Sequence, residues 1–173
     1  MKLPLLRSTF LVAAALLSLN ANAAELELQI EIPRLNVAEY HKPYVAVWLE
    51  NDERRITHLA LWYDFKMKDD EGSKWLKDLR QWWRKGGREL TFPVDGITSA
   101  TRAPGKHRIM LRNDKSPLDK LAAGNYRLHI EAVREVGGRE IVNLPVTWPP
   151  RQPTTERAKG SEELGEVILK LTP

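Results

Sequence analysis

The chain has no cysteine, which removes both a disulfide framework and thiolate chemistry. After residue 23 it has no apolar run approaching the ~18 residues of a membrane-spanning helix. Its histidines are His41, His58, His107 and His129, and no two have the close spacing of a metal site. A Walker loop, a Gly-rich dinucleotide fingerprint and a nucleophile elbow are all missing. No acid, base and nucleophile converge in sequence, which argues against a hydrolase. A strong charge of one sign is lacking too. Without Lys2 and Arg7 the balance falls from 27 basic against 23 acidic residues to 25 against 23, a net charge of +2. Charges of both signs are mixed along the chain, so a nucleic-acid footprint is not supported.

What is present begins with a targeting pattern. Lys2 and Arg7 form a short positive region, Leu11 to Leu19 is apolar, and Ala21-Asn22-Ala23 is a small-x-small cleavage site. Residues 1–23 therefore read as a secretory signal peptide leading to the periplasm, and that apolar run is too short to span a membrane. With no lipobox cysteine, the mature chain is expected to be soluble rather than lipid-anchored. Residues 24–173, about 150 of them, suffice for one domain with its own core.

Glu25 to Ile32 alternates strictly, with the apolar residues at even numbers, and Pro33 ends it. That is a half-buried strand. Pro43 opens a second strand from Tyr44 to Glu50, Asn51-Asp52-Glu53 makes a turn, and Ile56 to Phe65 returns as its hairpin partner. His107 to Leu111, Gly124 to Val136, Arg139 to Trp148 and Glu166 to Leu171 read as further strands. Gly137-Gly138 is a hairpin turn signal. In the Gly124 strand, Leu128, Ile130 and Ala132 alternate with Arg127, His129 and Glu131. His107 and His129 are expected to face solvent or a neighbouring carboxylate. Pro149 to Gly160, rich in Pro and polar residues, reads as an exposed loop. Seven or so short strands predict an all-β, immunoglobulin-like antiparallel two-sheet sandwich.

One stretch breaks the β pattern. Trp75, Leu76, Leu79, Trp82 and Trp83 lie at i, i+1, i+4, i+7 and i+8, one face of a short amphipathic helix. Ser73 is its expected N-cap and Gly86-Gly87 its stop. Two uses of this stripe stand open. The indoles plug one end of the sandwich, or Trp82 or Trp83 stacks on an aromatic cofactor held by the loop that follows. The acidic residues Asp64, Asp69, Asp70, Glu71 and Asp78 are read as a solvated turn.

That loop runs from Asp95 to Gly105, Asp-Gly-Ile-Thr-Ser-Ala-Thr-Arg-Ala-Pro-Gly. Crowded Gly, Asp, Ser, Thr and Pro make it an exposed loop on a scaffold, the usual place for function. It offers hydroxyls at Thr98, Ser99 and Thr101, a carboxylate at Asp95 and a guanidinium at Arg102. It holds no His or Cys, so a nucleophile and base pair is not encoded locally. As plain turn chemistry, Asp95 or Thr98 would accept backbone N–H bonds.

Asp95, Thr98, Ser99, Ala100 and Thr101 resemble, in identity and spacing, the acceptor motif of proteins that carry covalent FMN. There an Asp is followed three residues on by Ser or Thr, then Gly or Ser, then Ala-Thr. The resemblance implies that a separate Mg-dependent flavin transferase attaches FMN from FAD to Thr101 through a phosphoester, and that the transferase supplies base and metal. Arg102 and the N–H groups beside Gly96 and Gly105 would then bind the phosphate oxygens. His107 follows the loop closely enough to approach such a flavin. On this reading the chain is an electron carrier, not a turnover enzyme.

Pro43 to Trp48, Lys74 to Trp83, Asp95 to Gly105 and Gly124 to Ala132 resemble, in this order, the predicted periplasmic family called domain of unknown function 2271. That resemblance implies a neighbourhood of flavin transferases and PepSY-type inner-membrane redox proteins as partners. Asn-Asp followed by Ala-Gly-Asn-Tyr also resembles a hairpin of immunoglobulin-like domains of flagellar hook-capping type. The alternative is a cofactor-free binding or interaction module, with the Trp-rich helix and the Arg-Pro-rich loop as its contact surface.

Overall fold

The computed structural model describes residues 23–173. The expected signal peptide, apart from Ala23, lies outside the described residues. Nine strands form two sheets: β1 (Glu25–Ile32), β2 (Tyr44–Asn51), β3 (Ile56–Trp62), β4 (Thr98–Ser99), β5 (Gly105–Arg112), β6 (Gly124–Val133), β7 (Arg139–Trp148), β8 (Thr154–Lys159) and β9 (Glu166–Thr172). The four-stranded sheet has the order β5-β1-β9-β8 and the five-stranded sheet the order β4-β3-β2-β6-β7. Every pairing is antiparallel except the short parallel one between β3 and β4. This is the all-β two-sheet sandwich that the strand pattern predicts.

The core follows from the period-two patterning. Leu26, Leu28, Ile30 and Ile32 of β1 are buried together with Val167, Leu169 and Leu171 of β9. They meet Val45, Val47 and Leu49 of β2 and Leu128, Ile130 and Ala132 of β6. Side chains of opposite parity on β1 remain half-exposed, as for any strand with one wet face.

The five-stranded sheet is covered on its other face as well. Ala46, Trp48, Leu61 and Tyr63 point away from the main core into a second cluster with Leu76, Leu79, Trp82 and Ile97. Short helical pieces supply that cover, chiefly a 3-10 segment Lys68–Asp78, kinked at Asp69 and Asp70, and the helix α1 (Arg80–Lys85). This differs from the single helix expected from Ser73 to Lys85. The chain breaks at Leu79, whose ψ of 68° is not helical. Ser73 does not cap a helix; its hydroxyl donates to the Asp70 carbonyl at 2.7 Å. The break separates the indoles. Trp82 is fully buried, Trp83 is half-buried, and Trp75 is 49 % exposed. Gly87 lies so close to Trp82 that a Cβ there would come within 2.6 Å of the indole ring.

Because the cover sits on it, β6 is buried on both faces. His129 stacks on Trp48 with centroids 4.8 Å apart, and Glu50 lies 3.2 Å from its Nε2. Glu131 is 0 % exposed. Its carboxylate accepts the backbone N–H groups of Gln81 (3.1 Å) and Trp82 (2.8 Å) and the Arg139 Nε–H (2.7 Å). A carboxylate on the sheet thereby holds the start of α1 in place.

Two further differences concern strand ends and edges. β3 stops at Trp62 and β6 at Val133, earlier than the apolar runs suggest. The stretch from Pro149 to Gly160 is not all loop, since Thr154–Lys159 pairs with β9 as an edge strand. Thr155, Arg157 and Lys159 are exposed there, and on the opposite edge so are Lys106, Arg108, Met110 and Arg112 of β5. An edge strand with a single apolar residue, Ala158, has little periodic signal.

The second cluster yields two expectations on stability. Trp82→Ala will destabilise by roughly 3–5 kcal/mol, the range for a large buried aromatic, and Trp75→Ala by well under ~1 kcal/mol. Glu131→Gln will cost about 2–3 kcal/mol, since two amides and a guanidinium lose their charged acceptor. Urea unfolding of the three variants checks both. A third expectation concerns acid. Burial holds His58 and His129 below the usual imidazole range. The unfolded chain takes up these protons near pH ~6.5, before the folded chain does. Stability is therefore full above that pH and falls as the pH drops through it. His58→Gln should flatten part of the fall, because His58 Nδ1 accepts the Trp82 indole N–H at 2.9 Å.

Candidate functional site

The loop from Asp95 to Gly105 runs along the free edge of β3 and then crosses to the other sheet as β5. Leu61 N–H donates to the Ile97 carbonyl at 2.8 Å, and Tyr63 N–H to that of Ser99 at 3.0 Å. Ile97 is buried in the second cluster and anchors the loop from below. Its turn is closed by Thr98, whose N–H donates to the Val94 carbonyl (3.1 Å) and whose hydroxyl accepts the Val94 N–H (2.9 Å). Of the two turn-forming residues expected, Thr98 fills the role, and Asp95 lies exposed beside Gly96. Two residues of the segment, Thr98 and Ser99, form β4, where the sequence suggests no regular strand.

Just past β4 the hydroxyl of Thr101 donates to Asp64 Oδ1 at 2.8 Å. Asp64 follows β3, so the acidic turn and the hydroxyl loop meet. The pairing spans 37 residues. Asp64 is held at its backbone: its carbonyl accepts the Met67 N–H at 3.1 Å. Gly72 packs so tightly on that carbonyl that a Cβ would lie 2.2 Å from the oxygen. Only a glycine permits such an approach. Tyr44 lies beside it, its phenol pushed up to about 12 by burial and by the Asp64 carboxylate.

Thr101 and Asp64 open on a cleft of about 980 Å³. That is at the upper end of the ~300–1,000 Å³ typical of small-molecule sites. Trp75 borders it from the 3-10 segment, Met67 from the residue just before that segment, and Val136 from the β6–β7 hairpin. Val136 is 78 % exposed with φ of 52°, an outlier for a β-branched side chain. Lys42 and Arg80 add cations. Among the lining residues, the Tyr40 hydroxyl and Arg134 Nη1 are buried without a hydrogen-bond partner among the described residues. Arg134 is otherwise engaged by Glu163, at 3.0 and 3.1 Å.

Several residues singled out from the sequence stand elsewhere. The Arg102 guanidinium lies over the Trp62 ring, 5.4 Å from its centroid, with Nη2 at 3.5 Å from Ser99 Oγ. Neither Arg102 nor Gly96 nor Gly105 borders the cleft. His107 is tied to the Ala103 carbonyl at 2.7 Å and meets Trp62 edge-on. Trp82 has no free ring face, and Trp83 stacks on Phe92 with centroids 6.3 Å apart. The exposed indole of the cleft is Trp75, which the helical stripe grouped with the other two. Among the described residues no cluster of three or more His, Cys, Asp or Glu side chains could hold a metal ion. No helix among them is long and apolar enough to cross a membrane.

No curated protein and no solved structure matches the chain. A family model described as "Predicted periplasmic protein (DUF2271)" matches residues 25–166, which takes in β1 to β8, the first residue of β9, the helical cover, the focal loop and the cleft. The chain belongs to that predicted periplasmic family of unknown function.

Proposed function

We propose that this protein carries FMN covalently on Thr101 and passes electrons to or from a redox protein of the inner membrane. The observation that carries this reading is the setting of the Thr101 hydroxyl. It is half-exposed, paired with a carboxylate, and opens on a cleft of about 980 Å³. Ala100, Arg102 and Ala103 around it are exposed, so a transferase can reach the folded loop.

The lining suits an aromatic anion. Thr101 would be the anchor, Lys42 and Arg80 would offset the phosphate charge, and Trp75 offers an open ring face for stacking. The unpartnered Tyr40 hydroxyl and Arg134 Nη1 add polar groups at the wall. When bound, FMN supplies the redox chemistry; the chain contributes tether, shielding and electrostatics. No side chain of this protein is assigned a catalytic role in electron transfer, which fits a carrier rather than a turnover enzyme.

The alternative, a cofactor-free interaction module, loses much of its surface, since Trp82 is buried and half of the Arg-Pro-rich loop is the strand β8. Co-expression with an exported flavin transferase separates the two readings. Intact mass should rise by FMN less water, with yellow absorbance, and Thr101→Ala should show neither. A colourless, unmodified wild type beside an active transferase would reject the reading. An FMN-sized increment retained in Thr101→Ala would reject Thr101 as the anchor.

A further inference from the structure

We propose that Asp64 is the base that takes the Thr101 proton when the flavin is attached, so that the acceptor protein and not the transferase supplies this group. The inference rests on the reading of Thr101 as anchor and assigns a role to a residue outside the acceptor motif. Its starting point is the contact itself, Thr101 Oγ1–H to Asp64 Oδ1 at 2.8 Å. A candidate base must lie within hydrogen-bond reach of the proton it removes, and Asp64 already does.

The bond is not needed to hold the loop. Leu61 to Ile97, Tyr63 to Ser99 and the reciprocal Thr98–Val94 pair fix its backbone, and Ile97 anchors it in the core. The Asp64–Thr101 bond comes after all of these, at the exposed end. The Asp64 backbone in turn is fixed by the Met67 amide and by the close packing of Gly72. A carboxylate on a fixed backbone and already in contact with the hydroxyl needs little rearrangement to act as a base.

The step balances as follows. Thr101 Oγ forms a bond to the FMN phosphorus of FAD, and the bond from that phosphorus to the oxygen bridging to AMP breaks. AMP leaves with the electron pair, and the hydroxyl proton passes to Asp64 and then to solvent. FAD and Mg²⁺ arrive with the transferase, and nothing is oxidised or reduced. Carboxylates serve in this way where kinases phosphorylate hydroxyls. Other titrating or charged groups bordering the same cleft are Tyr40, His41 and Lys42 from the segment before β2, Tyr44 from β2, Glu71 and Asp78 from the 3-10 segment, Arg80 from α1, and Arg134, Glu135 and Arg139 from the hairpin; His41 is engaged by Glu39 and Glu135 at 2.9 and 3.4 Å. Tyr44 stays protonated at neutral pH and is no competing base.

The experiment measures single-turnover labelling of the purified full chain by a flavin transferase with FAD and Mg²⁺, read as protein-bound flavin fluorescence on a denaturing gel. Asp64→Asn and Asp64→Ala should lower the rate about 10²–10⁴-fold at saturating acceptor. Asp64→Glu should recover part of it. Circular dichroism and thermal unfolding establish that the variants are folded. Labelling of folded Asp64→Asn at the wild-type rate, with Thr101→Ala unlabelled, overturns the role of Asp64 and leaves Thr101 as the anchor. A rise in KM for the acceptor with kcat unchanged also overturns it, because that is docking. An unlabelled wild type sinks the underlying reading instead.

Discussion

The carboxylate of Glu131 organises the face of the five-stranded sheet that carries the second apolar cluster. It sits on a central strand of the five-stranded sheet and is sealed from water. A charge there is tolerable only if strong donors surround it. Two amides at the start of α1 and the Arg139 guanidinium supply them. The contact converts a loose crossover between β3 and β4 into a lid on the sheet. With the lid fixed, Trp82 and Leu79 close the second apolar cluster, and the preceding 3-10 segment is pressed against Asp64 through Gly72. Arg80 and Arg139, which flank this contact, both border the cleft. The side of the cleft that carries Arg80 and Arg139 thus depends on one buried carboxylate.

Much of the scaffold was legible in the sequence because it obeys a simple period. Leu26, Leu28, Ile30 and Ile32 alternate so regularly that β1 and its inward face need no further information. What escaped depends on tertiary context. His129 and Glu131 look like the wet side of β6, yet both are buried, because the cover comes from a distant segment. β8 escaped for the opposite reason: its pairing with β9 is a backbone matter, and its exposed Thr155, Arg157 and Lys159 look like loop.

The site was legible only in its local part. Thr98, Ser99 and Thr101 stand out as a hydroxyl-rich loop from composition alone, and the structure shows that loop exposed on the edge of β3. Asp64 was lost among five acidic residues, since nothing local distinguishes it from Asp69 or Asp70. Only the register of β3 against β4 carries it to Thr101. The three indoles share one stripe in the sequence, and one backbone angle separates them. A stripe at i, i+7 and i+8 holds a common face only in an unbroken helix, and the turn at Leu79 sends Trp75 outward while Trp82 goes in.

The two border strands of the four-stranded sheet show how the molecule keeps to itself. β5 displays Lys106, Arg108 and Arg112, and β8 displays Arg157 and Lys159, all on rows whose outer N–H and C=O groups are unclaimed within the sheet. A second copy approaching either border to extend the ladder would meet charged side chains already committed to ion pairs, Lys106 and Arg157 with Glu166, Arg108 with Glu27 and Arg112 with Glu25. Burying such pairs against a neighbour would cost their hydration, so charged borders discourage stacking of one molecule on the next and guard against fibrous self-association.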